Sequence, residues 1–283
     1  MIEHSPDVQR AIESAIQEDM VYLDPTTTLL VPPDFQANGV IKAKSPGVLA
    51  GVGVGLQVFR RVDPELIGVA LLEDGSTLER GSEALRVRGR VGSILRAERI
   101  ALNFMQRMSG IATATRQYVK AVEGTKASLV DTRKTAPGLR VLDKYSVRMG
   151  GGRNHRGHLA DGILIKENHI EALRMRGLSL REVVELALYQ APHTIKVEVE
   201  VETLEQVEEA MAGGAQIILL DNMSPDMMRR AVQLVNGRAM LEASGGITLE
   251  NVRAVAETGV DIISVGALTH SVKALDLSLD ITY

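Results

Sequence analysis

From about residue 127 to residue 265 the sequence alternates short apolar runs with amphipathic stretches, and this alternation limits the fold more than any other feature. The runs are Ala127–Val130, Gly162–Ile165, Thr194–Val201, Gln216–Leu220, Ala239–Ala243 and Asp261–Val265. Helical patterns fall at Ser179–Tyr189, Leu204–Ala212, Pro225–Val235 and Leu249–Glu257. Strands that feed crossover helices pair in parallel, because parallel neighbours need a long connection. A row of such units without the strand–GxGxxG–helix order of a dinucleotide fold favours a barrel. The glycines at 51, 53 and 55 lack that order, and close packing against a strand is expected of them.

The first hundred residues read differently. Ser5 and Pro6 have the character of an N-cap and first helical residue, opening an amphipathic segment Asp7–Met20 with Val8, Ile12, Ala15 and Ile16 on one face. After the break at Asp24-Pro25, strands are expected at Gly39–Lys44, Leu66–Leu72 and Leu85–Val91, with a helix at Val52–Arg61. A longer helix, Ser93–Met108, marks the boundary between a domain of residues 1–110 and one of 111–271. In the last stretch Leu275, Leu277, Leu279 and Ile281 alternate with Asp276, Ser278 and Asp280. That is a strand with one wet face, and residues 272–283 are expected to leave the barrel and complete the N-terminal sheet.

Composition narrows the chemistry. With 45% hydrophobic and 24% charged residues, the 283-residue chain has enough apolar surface for a core, so disorder is excluded as its main state. A net charge of −4 gives no global attraction to nucleic acid or anionic membrane. No apolar run reaches 18 residues, and MIEHSPDVQR has no signal-peptide pattern. The absence of cysteine removes thiolate nucleophiles, disulfides and iron–sulfur clusters, and fits a reducing, cytoplasmic setting.

The C-terminal ends of the strands are polar: Asp131-Thr132-Arg133-Lys134-Thr135, Lys166-Glu167-Asn168-His169, Asp221-Asn222, Ser244-Gly245-Gly246 and Ser264-Val265-Gly266-Ala267. Barrels gather function at that face. In the third strand, period two sets Lys196, Glu198, Glu200 and Glu202 opposite Ile195, Val197, Val199 and Val201. A solvated face is the plain reading. Crossover helices should cover the apolar side, however, which turns the carboxylates inward, where they need cations or metal. Some of them would then serve only as salt-bridge partners. Cations are close in sequence: Arg133, Lys134, Arg140, Lys144, Arg148, Arg153, Arg156 and Lys166, with His155, His158 and His169. Any one could be an ordinary surface charge, but the clustering suggests a small polyanionic ligand. There is no HxH, HExxH or GxSxG pattern. The two glycine-containing loops, each ahead of a helix, could hold phosphate through backbone amides, or simply turn the chain. From the residues alone, this is a two-part α/β enzyme with a phosphate-bearing substrate, a second anionic ligand and carboxylates able to hold a divalent metal, which does not fix the reaction.

Beyond that point the sequence resembles a known family. Asp131–Arg140 (DTRKTAPGLR), Lys144-Tyr145, Gly150-Gly151-Gly152, Asn154-His155-Arg156 and Leu164–Ile170 (LIKENHI) are similar to the quinolinate phosphoribosyltransferases. So are the Val197–Glu202 strand, Leu220-Asp221-Asn222, Ser244–Ile247, Ser264–Thr269, and Glu98-Arg99 with Leu102-Asn103 and Ser109–Ala112. The resemblance implies an N-terminal α/β sandwich, a C-terminal incomplete, seven-stranded α/β barrel and a homodimer or a multiple of dimers. It implies phosphoribosyl transfer from PRPP to the ring nitrogen of quinolinate, with release of pyrophosphate and carbon dioxide, in NAD biosynthesis. Arg133, His155, Arg156, Lys166 and a neighbouring subunit's Arg99 would bind quinolinate. Lys134, Ser244, Gly245, Gly246, Ser264, Gly266 and Ala267 would hold the phosphates of PRPP. Lys134, Glu200 and Asp221 would be catalytic, and Glu200 and Asp221 would contact Mg2+. Neither nucleic acid nor membrane is an expected partner. Two departures stand out: His158 occupies a position where the family usually has glycine, and the family's N-terminal ED…GD-TT pattern appears as Glu18-Asp19 and Asp24-Pro25-Thr26-Thr27. Nicotinate phosphoribosyltransferase, a molybdenum-transport-associated relative and a non-catalytic anion binder are the competing readings. The NHR block and the full set of basic residues disfavour them.

Overall fold

The protein is described by a computed structural model covering residues 2–282. The chain forms two compact units, one of residues 1–116, 134–151 and 268–283, the other of residues 117–133 and 152–267. These bounds differ from a cut at residue 110. The long helix runs over Val91–Ala121 and contributes to both units, and the helix Arg140–Met149 joins the first.

The first unit holds a four-stranded antiparallel sheet in the order β12 (Leu277–Thr282), β1 (Gln36–Ala43), β5 (Glu83–Arg90), β3 (Ile67–Ala70). A two-stranded ribbon, β2 (Gly47–Val48) with β4 (Thr77–Leu78), lies apart from it. The expected return of the chain is found: β12 pairs with β1 from Asn38↔Thr282 to Ala43↔Leu277. The helix Pro6–Glu18 buries Val8, Ile12 and Ile16, four residues apart and so on one face. They join a core with Ile41, Phe59, Leu85, Val87, Ile94 and Met105. Gly51 meets the long helix, and Gly55 meets both that helix and β5, where a Cβ would lie 3.4 Å from Leu85. A Cβ on Gly51 would lie 2.6 Å from the Met108 sulfur, and one on Gly55 2.6 Å from that of Met105. Gly55 thus packs close to a strand as expected, Gly51 packs against the helix alone, and a Cβ on Gly53 would lie 2.9 Å from the Glu3 carboxylate.

The second unit carries a six-stranded parallel sheet, ordered β6 (Ser128–Val130), β11 (Ile262–Ser264), β10 (Met240–Ser244), β9 (Ile217–Asp221), β8 (Val197–Val201), β7 (Ile163–Ile165). All six lie within about three residues of the expected positions. A seventh strand was expected. Beside β6 its place is taken by Arg153, which makes one isolated parallel bridge to Val130. Among the described residues no ladder joins β6 to β7, so the sheet is open on that side.

Candidate active site

The pairing register decides which side chains share a face. Glu198 lies beside Leu164 on β7 and Ile217 on β9, Glu200 beside Leu219, Leu219 beside Glu242, and Asp221 beside Ser244. Paired residues point the same way and faces alternate along a strand. Glu198, Glu200, Asp221, Glu242 and Ser244 therefore share one face, with Lys166 two residues beyond Leu164. On β8 the opposite face, Val197, Val199 and Val201, is fully buried and meets the helices Leu180–Gln190 and Leu204–Ala212. The inward turn of Glu198 and Glu200 thus follows from the valine alternation. Lys196 and Glu202, at the ends of the same series, are exposed.

Three sets of contacts organise this face. Lys166 Nζ reaches Glu200 Oε2 at 2.6 Å, a half-exposed ion pair at the open end of β8. The Asn222 side-chain amide donates to Asp221 at 2.8 Å, and Asn222 itself has φ +51°. Gly245, at φ +85°, lies against it: a Cβ there would be 2.2 Å from Asn222 Oδ1, so only glycine fits. The Asn251 side chain closes the same loop, donating to the Gly246 carbonyl and accepting from the Thr248 amide. Ser264 is buried, with its hydroxyl 3.5 Å from the Ala243 carbonyl, and Gly266 and Ala267 follow it, half-buried.

The third set is the deepest. Asp131, at the end of β6 and 0% exposed, accepts from the Asn154 side chain at 2.6 Å and the His155 amide at 2.9 Å. His155 Nε2 lies 3.3 Å from Glu198 and 3.5 Å from Glu242, which are 5% and 2% exposed. Hydrogen bonds to Glu198 and Glu242 push the imidazole pKa up to about 10, against the opposing effect of burial. Burial holds the Glu198 carboxyl above its ordinary value. Nδ1, however, accepts the Arg156 amide at 2.8 Å, which leaves no room for a second ring proton. The two observations place the ring hydrogens differently, on both nitrogens or on Nε2 alone. The amide contact decides for a ring protonated at Nε2. Burial, then the neighbouring Arg133, draw the Arg156 guanidinium down from its usual value. Arg156 also donates to the Gly162 carbonyl at 3.0 Å.

The structure thus brings Arg133, His155, Arg156, Lys166, Glu200, Asp221 and the glycine loops into the second unit. Lys134 and Arg99 belong to the first. Lys134 is exposed, its carbonyl accepting from Thr269 Oγ1 at 2.7 Å, and Arg99 is exposed on the long helix. The basic residues between 131 and 169 divide in the same way, since Arg140, Lys144 and Arg148 lie on the first unit's helix Arg140–Met149. His169 accepts the Lys166 amide at 3.0 Å and so caps the start of the helix Glu167–Arg174. His158 has an extended backbone, φ −146°, and pairs with Asp161 at 2.9 Å, so nothing at this position demands glycine. Glu242 had not been expected. Its one signal is a lone acid inside the apolar strand Met240-Leu241-Glu242-Ala243.

Comparison with known proteins identifies the family. Residues 24–109 match the family description "Quinolinate phosphoribosyl transferase, N-terminal domain", and residues 111–280 the corresponding C-terminal domain. The nicotinate-nucleotide pyrophosphorylase [carboxylating] of Mycobacterium leprae is 45% identical over 280 residues, 95% of each chain. The quinolinate phosphoribosyltransferase [decarboxylating] 2b, mitochondrial, of Nicotiana tabacum is 42% identical over 291 residues, covering 97% of this chain and 82% of that one. The solved structure of the nicotinate-nucleotide pyrophosphorylase from Francisella tularensis superposes with a TM-score of 0.91 at 37% identity, covering 100% of this chain and 99% of that one. With both domains matched and relatives of this similarity along nearly the whole length, the chain belongs to the quinolinate phosphoribosyltransferase family.

Proposed function

We propose that the protein transfers the phosphoribosyl group of PRPP to quinolinate, with decarboxylation, giving nicotinate mononucleotide, pyrophosphate and carbon dioxide in NAD biosynthesis. The observation that carries this is the pairing of two neighbouring guanidiniums, Arg133 and Arg156, with a face of inward carboxylates. Arginine forks fix a planar dicarboxylate in both position and orientation. Lys166 completes the cationic side, and its ion pair with Glu200 brings that side next to the carboxylates.

Departure of pyrophosphate leaves positive charge on the ribose ring. Glu200 and Asp221 are the carboxylates that would stabilise it, since charge fixed near the reacting carbon acts most strongly in the transition state. The same two, on adjacent strands and one face, offer the hard oxygen ligands that Mg2+ accepts beside substrate phosphates. When bound, the ion would offset the charge of the leaving pyrophosphate. Lys134 and the loops at Ser244–Gly246 and Ser264–Ala267 would receive the phosphates. Decarboxylation follows once the ring nitrogen is cationic: the bond to the 2-carboxylate breaks and its electron pair is held beside that nitrogen until C2 takes a proton. The purified protein with PRPP, Mg2+ and quinolinate should release carbon dioxide and form a product of nicotinate mononucleotide mass. Turnover of nicotinate without carbon dioxide release would show a different transferase.

The working form proposed is a homodimer, or a multiple of it, in the cytoplasm, with Arg99 reaching the partner's quinolinate site. Supporting this, Arg99 is exposed, and the first unit leaves Leu23, Leu29, Leu30 and Ile67 exposed as well. Inactive Arg99→Ala and Lys166→Ala subunits, mixed and allowed to exchange, should recover roughly a quarter of wild-type activity, because half the dimers carry one intact site. No recovery despite subunit exchange would place Arg99 within its own chain's chemistry or outside it.

A further inference from the structure

Close to Arg156 in the second unit lie two buried carboxylates that the chemistry above does not use. Glu198 on β8 and Glu242 on β10 stand on either side of β9 and converge on His155 Nε2. Each has its other oxygen, Oε1, buried without a hydrogen-bond partner. Buried carboxylates in this condition are costly unless a cation or a strong donor is held between them.

A metal ion is one way to satisfy them, because His155, Glu198 and Glu242 offer three ligand atoms within 4.8 Å of one another. The imidazole argues against it. A metal-bound histidine gives its lone pair at one nitrogen and donates the hydrogen of the other to an acceptor. Here the other nitrogen, Nδ1, faces a donor, the Arg156 amide at 2.8 Å. Metal at Nε2 would set two hydrogens against each other. The ring therefore carries its hydrogen at Nε2 and gives it to the carboxylates.

We propose that Glu198 and Glu242 are positioning residues for quinolinate: they hold His155 as an Nε2–H donor, and its Nδ1 fixes the Arg156 main chain so that the Arg156 and Arg133 guanidiniums stand ready for a dicarboxylate. This inference rests on the quinolinate reading above. His155 then acts through Arg156, with both ring nitrogens engaged inside the protein, and need not touch the substrate. Asp131 secures the same segment from the other side, through the Asn154 side chain and the His155 amide. The net negative charge below also offsets the mutual repulsion of two adjacent guanidiniums, which otherwise makes such a pair hard to assemble.

The test uses Glu198→Gln, Glu242→Gln, His155→Asn and His155→Ala in the full-length protein, with quinolinate and PRPP affinities from calorimetry, steady-state kinetics and thermal melting. Both glutamine variants should weaken quinolinate binding and raise its KM about tenfold, the scale of one lost charge-assisted hydrogen bond. Their kcat at saturating quinolinate should change by less than about threefold, and PRPP affinity should hold, a split that a merely structural role would not produce. Asparagine can still accept from the Arg156 amide, so His155→Asn should bind quinolinate more tightly than His155→Ala. Unchanged quinolinate affinity in glutamine variants that only melt earlier would overturn the proposal and leave the function standing. One equivalent of zinc in the wild-type protein, lost in Glu242→Gln, would overturn it in favour of a metal site. A wild-type protein that binds PRPP but no quinolinate would overturn both readings.

Discussion

The antiparallel sheet of the first unit turns Ile41, Leu85 and Val87 into a core of aliphatic side chains, while its charges stay at the surface, where Lys42 lies 3.4 Å from Glu83 and 3.7 Å from Asp280. The parallel sheet of the second unit sends valines outward to its helices and carboxylates to the other face. Exposed ion pairs such as those of Lys42 contribute about 0–1 kcal/mol. Breaking a buried pair by removing one partner costs about 3–5 kcal/mol. One unit therefore uses its sheet to hold the fold, and the other uses it to hold charge at fixed positions.

Substitutions can break this contrast or sharpen it. Arg133→Ala or Arg156→Ala should have the largest effect, costing quinolinate binding about 2–5 kcal/mol with the fold retained. Calorimetry giving wild-type affinity in both would remove the dicarboxylate site. Glu200→Gln and Asp221→Asn come next. Each should lower kcat about a hundredfold and change quinolinate affinity far less, because their charge acts as positive charge develops on the ribose. If only the melting temperature moves, these carboxylates are structural and the contrast between the units collapses. Val87→Ala, fully buried in β5, should cost about 2 kcal/mol of stability without altering substrate affinity, as denaturant titration with parallel calorimetry would show.

The smallest effect concerns the one buried carboxylate of the first unit's Asp63–Arg90–Ser93 cluster. Burial works to raise the Asp63 pKa, but hydrogen bonds from Ser93, the Glu65 amide and Arg90 outweigh it and hold the carboxyl below its ordinary value. A depressed folded-state pKa gives stability that is complete above the unfolded value of about 4 and is lost as pH falls through the folded one. Asp63→Asn should lower stability by about 1–2 kcal/mol at pH 7 and flatten its acid dependence below about pH 4. Equal slopes for variant and wild type between pH 3 and 5 would assign acid sensitivity elsewhere.

The contrast also explains how much could be read from the sequence. Alternation in Val197–Val201 made both faces of β8 legible, because three valines and two glutamates state the period twice over. Glu242 has no such rhythm around it, and its place opposite Glu198 depends on a strand order that only the fold supplies. The helices Arg140–Met149 and Glu167–Arg174 went unpredicted for a related reason. Their sequences are so rich in charge that ligand chemistry was the more visible pattern, although the first buries Leu142, Ser146 and Val147 at helical spacing. His155 was legible as a cation near an anion site. Its engagement at both nitrogens was not, since that depends on two strands and the next residue's amide.

The pairing of β12 with β1 has a consequence for biogenesis. These strands lie almost the whole length of the chain apart, and the second unit is spelled out between them. During vectorial synthesis β1 emerges early with one hydrogen-bonding edge open, and it stays open until β12 has been made. The second unit can complete its own sheet sooner, from residues 128 to 264. The part made first is thus finished last, and an unpaired edge is where chains associate wrongly. Stalled or truncated chains that lack β12 should aggregate through the first unit while the parallel sheet is already folded, so in the cell the demand for chaperoning falls on β1.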